Sequence, residues 1–290
     1  MRILLTGKNG QLGQCFQDVV EGTEVELFAF DSTELNITNA EQIDQVINRI
    51  KPDVIVNAAA YTAVDKAESD TEVAYLVNAT GPSLLAEQAA KLDIPLIHIS
   101  TDYVFDGEAV EPYKSSDVTN PQGVYGASKL AGEELVTATC DKYIILRTAW
   151  VFSEYGNNFV KTMLRLGKER DSLGVVADQY GSPTYAGDIA KAILTLCLNY
   201  HSNGVLAWGI YHFAGDMPTS WHGFARAIFY KAQQHGVLLE QPKLAAISSE
   251  QYPTPAKRPA FSVFDTEEIR DLEISSSPWL RGLDKVLSRL

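Results

Sequence analysis

The chain has 290 residues, 46% hydrophobic and 21% charged, which is the balance of an ordinary globular protein. Its length suits one large domain or two linked ones. A formal net charge of −13 argues against nucleic-acid binding and against an anionic membrane surface, so any anionic ligand must be held by local groups. No apolar run approaches the roughly 20 residues that span a bilayer. Cys15, Cys140 and Cys197 are widely spaced and form no C-x-x-C pair. They predict reduced thiols and a cytoplasmic location, with no disulfide framework and no structural zinc.

The N-terminus opens on a short apolar run, Arg2–Thr6, that leads into glycines and reads as a first strand rather than a signal peptide. Further Val/Ile/Leu-rich runs follow at Val25–Phe30, Asp53–Ala59, Pro95–Ser100 and Tyr143–Thr148. Their nearly unbroken apolar character fits strands covered on both faces. Helical patterns lie between them at Gln11–Val20, Ala40–Lys51, Thr71–Lys91 and Val124–Thr139. The alternation predicts an α/β fold, a doubly wound parallel sheet of the Rossmann type. After Trp150 the regularity falls away and prolines punctuate short elements. The expected division is a dinucleotide-binding domain over 1–150, to which 186–215 return. A smaller, less regular substrate lobe takes 151–185 and 216–290.

Gly7, Gly10 and Gly13 form a G-x-x-G-x-x-G loop between the first strand and first helix. Such a loop brings backbone N–H groups close to a pyrophosphate at a helix N-terminus. The plainer alternative is a glycine-rich turn. Asp31 ends the second strand, where a carboxylate can hold the adenosine ribose hydroxyls and favour NAD. Its alternative role is to cap the turn at Ser32 and Thr33. Lys8 could receive a 2′-phosphate, so NADPH and NADH both stay open. Asn57–Thr62 and Ser100–Phe105 end the next two strands, where doubly wound sheets bind ligands. Tyr125 and Lys129 stand four residues apart on one helix face, roughly 5–6 Å apart at Cβ. A phenol of pKa about 10 is a poor acid near neutrality, and a fixed ammonium lowers that value. The spacing alone also suits an ordinary amphipathic helix.

Together the glycine loop, the strand-end Thr101 and the Tyr-x-x-x-Lys pair resemble the extended short-chain dehydrogenase/reductase superfamily. Within it, the chain is similar to the dTDP-4-dehydrorhamnose reductase family. The motifs that carry the likeness are VIVNAAA (54–60), TAVDKAE (62–68), STDYVF (100–105) and VYGASKL (124–130), then RTAWVF (147–152), GNNF (156–159), DQYGSPT (178–184) and KRP (257–259). The resemblance implies reduction of the C4 ketone of dTDP-4-dehydro-β-L-rhamnose by NADPH or NADH. Tyr125 would donate the proton, Lys129 would tune it and hold the nicotinamide ribose, and Thr101 would polarise the carbonyl. Gly10, Gln11 and Leu12 would lie along the pyrophosphate, with Asn36 and Ile37 toward the adenine and Ala60, Tyr61 and Thr62 on the nicotinamide side. Asp102 and Trp150 would touch the sugar nucleotide, although Trp150 also suits a core aromatic.

Two other readings come with the resemblance. One is a related nucleotide-sugar epimerase. The other is a non-catalytic regulatory subunit like that of methionine adenosyltransferase, which the complete Thr101, Tyr125 and Lys129 set opposes. Dehydratases of the superfamily follow the strand-end Thr with Asp-Glu, whereas here Tyr103 follows Asp102. The chain departs from the family pattern at Asn36, where many members have Asp, and at Phe261, where Asn is common. Some members dimerise around a magnesium ion held by an acidic residue early in the first helix. Cys15 stands there and is a poor ligand for a hard cation. The expectation is a monomer or weak homodimer without that metal.

Overall fold

The computed structural model describes residues 1–290. Its first part alternates β1 (Arg2–Thr6), α1 (Gln11–Val20), β2 (Glu26–Phe30), α2 (Ala40–Ile50) and β3 (Val54–Asn57). The short helices α3 (Val64–Ala67) and α4 (Thr71–Tyr75) then lead through a π-turn at Leu76–Thr80 into α5 (Gly81–Leu92). β4 (Leu96–Thr101), α6 (Val124–Thr139) and β5 (Tyr143–Thr148) follow. Beyond them lie β6 (Val151–Phe152), α7 (Phe159–Glu169), β7 (Ser172–Val176), β8 (Tyr180–Gly181), β9 (Thr184–Tyr185) and α8 (Ala186–Asn203). The chain ends with β10 (Gly209–His212), β11 (Thr219–Ser220), α9 (Trp221–Gln234), β12 (Lys243–Ile247) and α10 (Trp279–Ser288).

The central sheet has the order β2-β1-β3-β4-β5-β10, and every pairing in it is parallel. Side chains alternate between its faces, as strand geometry requires. Ile3, Leu5, Val54, Val56 and Ile97 pack with α1 and α8, while Leu4, Ile55 and Leu96 pack with residues of α2, α5 and α6. Both faces are therefore covered, which explains the unbroken apolar runs in the sequence. From β1 the chain passes to β2 on one side of the sheet and later to β3 on the other. The reversal opens a crevice at the carboxyl ends of β1 and β3.

The helix expected over Thr71–Lys91 is broken by the π-turn. Pro82 supplies the reason, because it has no N–H to return to the carbonyl of Asn78 four residues earlier. Strand β3 is shorter than expected and ends at Asn57. Ala58 and Ala59 instead form the floor on which Gly7 rests: a Cβ on Gly7 would lie 2.7 Å from the Ala58 carbonyl carbon.

A second apolar core joins α7, α9 and α10 around Phe152, Phe224, Phe229 and Leu283, beside the parallel pair β7–β12. The three cysteines are free and buried. No helix is long and apolar enough to cross a membrane.

Candidate active site

A cleft of about 710 Å³ opens at the carboxyl ends of the sheet strands. Gly7, at φ +77°, makes the turn into α1, and Gly10 precedes that helix with no side-chain cap and no acidic residue in its first turn. The first N–H groups of α1 thus face the cleft without an internal partner, which is an anion-binding end. Leu12 also lines the cleft. Gln11 lines it too, but its amide is engaged elsewhere: Oε1 accepts from Ser153 Oγ at 3.0 Å and from Asn158 Nδ2 at 2.9 Å. Gly13 does not reach the cleft, and a Cβ there would strike the Gly7 carbonyl. It packs closely within the loop.

Asp31 lines the same cleft and also caps its own turn. Its Oδ1 accepts from Thr33 Oγ1 at 2.6 Å, from Thr33 N at 2.9 Å and from Glu34 N at 3.2 Å. The Thr33 hydroxyl is the main reason its carboxyl is held down, to about 2. Oδ2 takes the amide of Asn9 at 3.0 Å, with Lys8 at 3.7 Å. The capping role read from the sequence is thus present, and the carboxylate also borders the cleft. Asn36 and Ile37 border the cleft nearby; Asn36 caps its own turn through Thr38, and Ile37 is buried. Ala60 and Thr62 line the opposite wall. Tyr61 does not line it. Its hydroxyl donates to Asp70 at 3.0 Å, and its N–H donates to Asn78 Oδ1 at 2.8 Å.

The reactive set sits where β4 and α6 meet. Thr101 ends β4, and its Oγ1 donates to Asp102 Oδ1 at 3.0 Å. Tyr125 is the second residue of α6 and packs edge-on against Tyr103 at 5.4 Å. The small residues between Tyr125 and Lys129 let α6 approach closely. A Cβ on Gly126 would run into the Tyr103 carbonyl, and Ser128 Oγ donates back to the Tyr125 carbonyl at 2.8 Å. The helix start is capped from outside, because Glu68 Oε1 accepts from Val124 N at 2.9 Å.

Lys129 is buried, and its Nζ donates to the Ile99 carbonyl at 2.6 Å. Burial pulls its pKa down to about 8. The four-residue spacing predicts that Lys129 lowers the Tyr125 pKa; in the free protein other groups set the balance. Burial pushes the Tyr125 phenol above its ordinary value, and the hydroxyl of Thr101 is what opposes the rise. The lysine's nitrogen is directed at the Ile99 carbonyl instead. Asp102 is also buried, which raises its carboxyl to about 6, and its Oδ2 has no partner.

A second cleft of about 710 Å³ adjoins the first and shares Val64, Tyr103 and Trp150 with it. Trp150 stands between the two with the left-handed φ of +49°, its ring stacked on Trp221 at 3.6 Å and 8°. Gly181 is required beneath it, since a Cβ there would lie 2.5 Å from the indole. Arg258 reaches in from the C-terminal part, with Nη2 on Asp65 Oδ2 at 2.7 Å and Nη1 on the Tyr103 hydroxyl at 3.3 Å. Phe261 is turned away, against Tyr113 at 6.4 Å.

Residues 1–290 match the family model of the RmlD substrate binding domain. The chain belongs to this family. It is 47% identical over 287 residues to a dTDP-4-dehydrorhamnose reductase of Aggregatibacter actinomycetemcomitans, covering 98% of each chain. Among solved structures, it superposes on a reductase of the same name from Clostridium acetobutylicum with a TM-score of 0.92 at 40% identity, over 100% of this chain and 99% of that one. The dTDP-4-dehydrorhamnose reductase of Bacillus anthracis in complex with NADP gives a TM-score of 0.92 at 39% identity, over 100% and 99%.

In this RmlD-family chain the uncapped α1 terminus and the Gly7 loop fit a dinucleotide. The magnesium site of some members does not fit: Cys15 is 2% exposed, and burial raises its thiol to about 12, so it offers no hard oxygen donor. Sequence reading missed several site residues. Trp221 is a single aromatic without a motif, and only the fold brings it to Trp150; Tyr103 lies inside STDYVF, but its contact with Tyr125 comes from the fold. Asn78 holds the Tyr61 backbone from both sides, through Oδ1 at 2.8 Å and Nδ2 at 3.1 Å. His98 had a visible signal, as the one imidazole inside the apolar run Pro95–Ile99.

Proposed function

We propose that this chain reduces the C4 ketone of dTDP-4-dehydro-β-L-rhamnose to the alcohol, giving dTDP-β-L-rhamnose, with NADPH or NADH as reductant. The observation that carries the reading is that Thr101, Tyr125 and Lys129 line one cleft, which begins at an uncapped glycine-loop helix. When bound, the dihydronicotinamide supplies the hydride. Reduction at C4 would gather negative charge on the carbonyl oxygen. Thr101 turns its hydroxyl proton from Asp102 to that oxygen, and the interaction strengthens as the charge grows. Tyr125 gives up its phenolic proton to the same oxygen. Lys129 holds the nicotinamide ribose and the phenolate that Tyr125 leaves behind.

The α1 terminus with Gly7, Gly10, Gln11 and Leu12 takes the pyrophosphate; Asp31, Asn36 and Ile37 take the adenosine end, and Ala60 and Thr62 the nicotinamide side. The second cleft suits the sugar nucleotide. Trp150 and Trp221 offer aromatic faces and Arg258 a cation in a protein of net charge −13, and Asp102 offers a carboxyl from the adjoining cleft. On this reading residues 1–150 and 186–215 form the dinucleotide-binding part, and 151–185 and 216–290 the substrate lobe. The free buried thiols support a reducing cytoplasm, and the protein acts as a monomer or weak homodimer that binds neither nucleic acid nor membrane.

The test mixes the protein with NADPH or NADH and with the 4-keto sugar nucleotide made in situ from dTDP-glucose. Loss of the reduced cofactor's absorbance, abolished by Tyr125→Phe, supports the reading. No loss, with substrate shown to be present, overturns it.

A further inference from the structure

Four polar side chains cross the buried interior directly beneath the reactive set. Thr6, Asn57 and His98 sit in register on β1, β3 and β4, paired Thr6 with Asn57 and Asn57 with His98. They continue the same sheet face as Leu4, Ile55 and Leu96, the face on which α6 lies. All three are at most 1% exposed, and so is Lys129 above them. Thr6 Oγ1 donates to Asn57 Oδ1 at 2.6 Å, Asn57 Nδ2 meets His98 Nδ1 at 2.9 Å, and His98 Nε2 lies 3.5 Å from Lys129 Nζ. A buried polar chain of this kind adds little to folding over apolar residues of the same shape. It ends on one atom, the nitrogen of Lys129.

The hydrogen bonds decide where the histidine proton resides. The Ala59 N–H donates to Asn57 Oδ1 at 3.2 Å. That contact fixes the amide orientation, because a flipped Asn57 would set its NH₂ against another donor. Nδ2 of Asn57 is therefore the atom that faces His98, and it donates. His98 Nδ1 must accept and carries no proton. A neutral imidazole then holds its proton on Nε2, pointed at Lys129. Protonating Nδ1 as well would confront the Asn57 NH₂, and burial beside Lys129 also holds His98 neutral.

We propose that His98 is a positioning residue for the reduction, locked by Asn57 with its proton on Nε2 so that it fixes the Lys129 nitrogen against the Ile99 carbonyl and disfavours a full ammonium there. An N–H that faces an ammonium is repulsive, whereas an amine accepts from it. The lysine then keeps one donor for Ile99 and stays free to exchange a proton near neutral pH. The groups that bear on its charge are His98 from β4, Glu133 on its own helix, and Arg147 from β5, which pairs with Glu133 at 2.6 Å. This inference rests on the reductase reading for its kinetic arm alone.

The kinetic arm compares His98→Asn, which keeps an acceptor for Asn57 and loses the contact to Lys129, with His98→Gln, whose longer amide reaches the lysine. His98→Asn lowers kcat by about tenfold to a hundredfold, the cost of a reacting group misplaced by about 1 Å. It also shifts the alkaline limb of the kcat pH profile, and His98→Gln restores both. A folded His98→Asn enzyme with wild-type kcat and pH profile overturns the proposal. Should the variants fail to fold, nitrogen NMR of wild-type protein labelled at histidine decides it. An unprotonated Nδ1 with a protonated Nε2 that moves in Lys129→Met supports the proposal. The opposite tautomer, or a resonance indifferent to Lys129, overturns it. The NMR arm holds whether or not the wild-type protein turns over the keto sugar.

Discussion

Asp102 is the residue whose chemistry conflicts most with its surroundings. It is 3% exposed, one carboxyl oxygen has no partner, and burial raises its pKa from 3.8 to about 6. The folded protein binds this proton more tightly than the unfolded chain does. Its stabilising contribution is therefore complete below about pH 4 and is lost as pH rises through about 6. Asp102→Asn removes that dependence. We expect thermal melts to show the variant ahead of wild type at pH 8, by on the order of 2 kcal/mol, with the difference closing at pH 4. We expect activity to fall in the same variant; unchanged activity would leave Asp102 outside the site. At Tyr125 the expectation is sharper. Tyr125→Phe keeps the fold and the cofactor, measured by quenching of protein fluorescence, and loses on the order of 10²–10⁴-fold in kcat. Asp31→Ala tests the adenosine end: it weakens NADH more than NADPH, read from the two KM values. Equal losses would leave Asp31 with its turn-capping role alone.

The helices and strands were legible because their signals are local. Arg2–Thr6, Gln11–Val20, Val124–Thr139 and Tyr143–Thr148 form over the spans that apolar pattern predicts. The π-turn was hidden, since a helical pattern does not register which carbonyl a proline leaves unpaired. Thr101, Tyr125 and Lys129 were readable because two of them share one helix face and the third ends a strand. The partners Trp221 and Asn78 were not, because each meets the site through contacts distant in sequence. Element α6 also depends on a distant residue. Its Ncap is Gly123, which offers no side chain, and Glu68 from the α3 segment caps it instead. Glu68→Ala should cost about 1 kcal/mol. Denaturant unfolding measures the loss, and kcat falls with it if the start of α6 frays around Tyr125.

At the scale of the whole molecule, the two clefts meet at the stacked Trp150 and Trp221, one beside the sheet and one at the start of α9. Trp221→Ala removes the aromatic face from the second cleft and leaves the glycine loop untouched. We expect KM for the sugar nucleotide to rise about tenfold, a loss near 1.4 kcal/mol, while KM for the cofactor stays within about twofold. The sheet itself has a further property. Its sixth strand, Gly209–His212, joins β5 only after the chain has built β6 to α8 elsewhere, and α8 is the helix that lies with α1 against one sheet face. A nascent chain that has just emerged through Thr148 therefore presents β5 as a bare edge and α1 with half its apolar cover missing. Exposed edges of that kind recruit other chains. Synthesis past His212 is the point at which the N-terminal layer closes, so a ribosome stalled before it should yield a protease-sensitive, self-associating product, and one stalled after it a compact core.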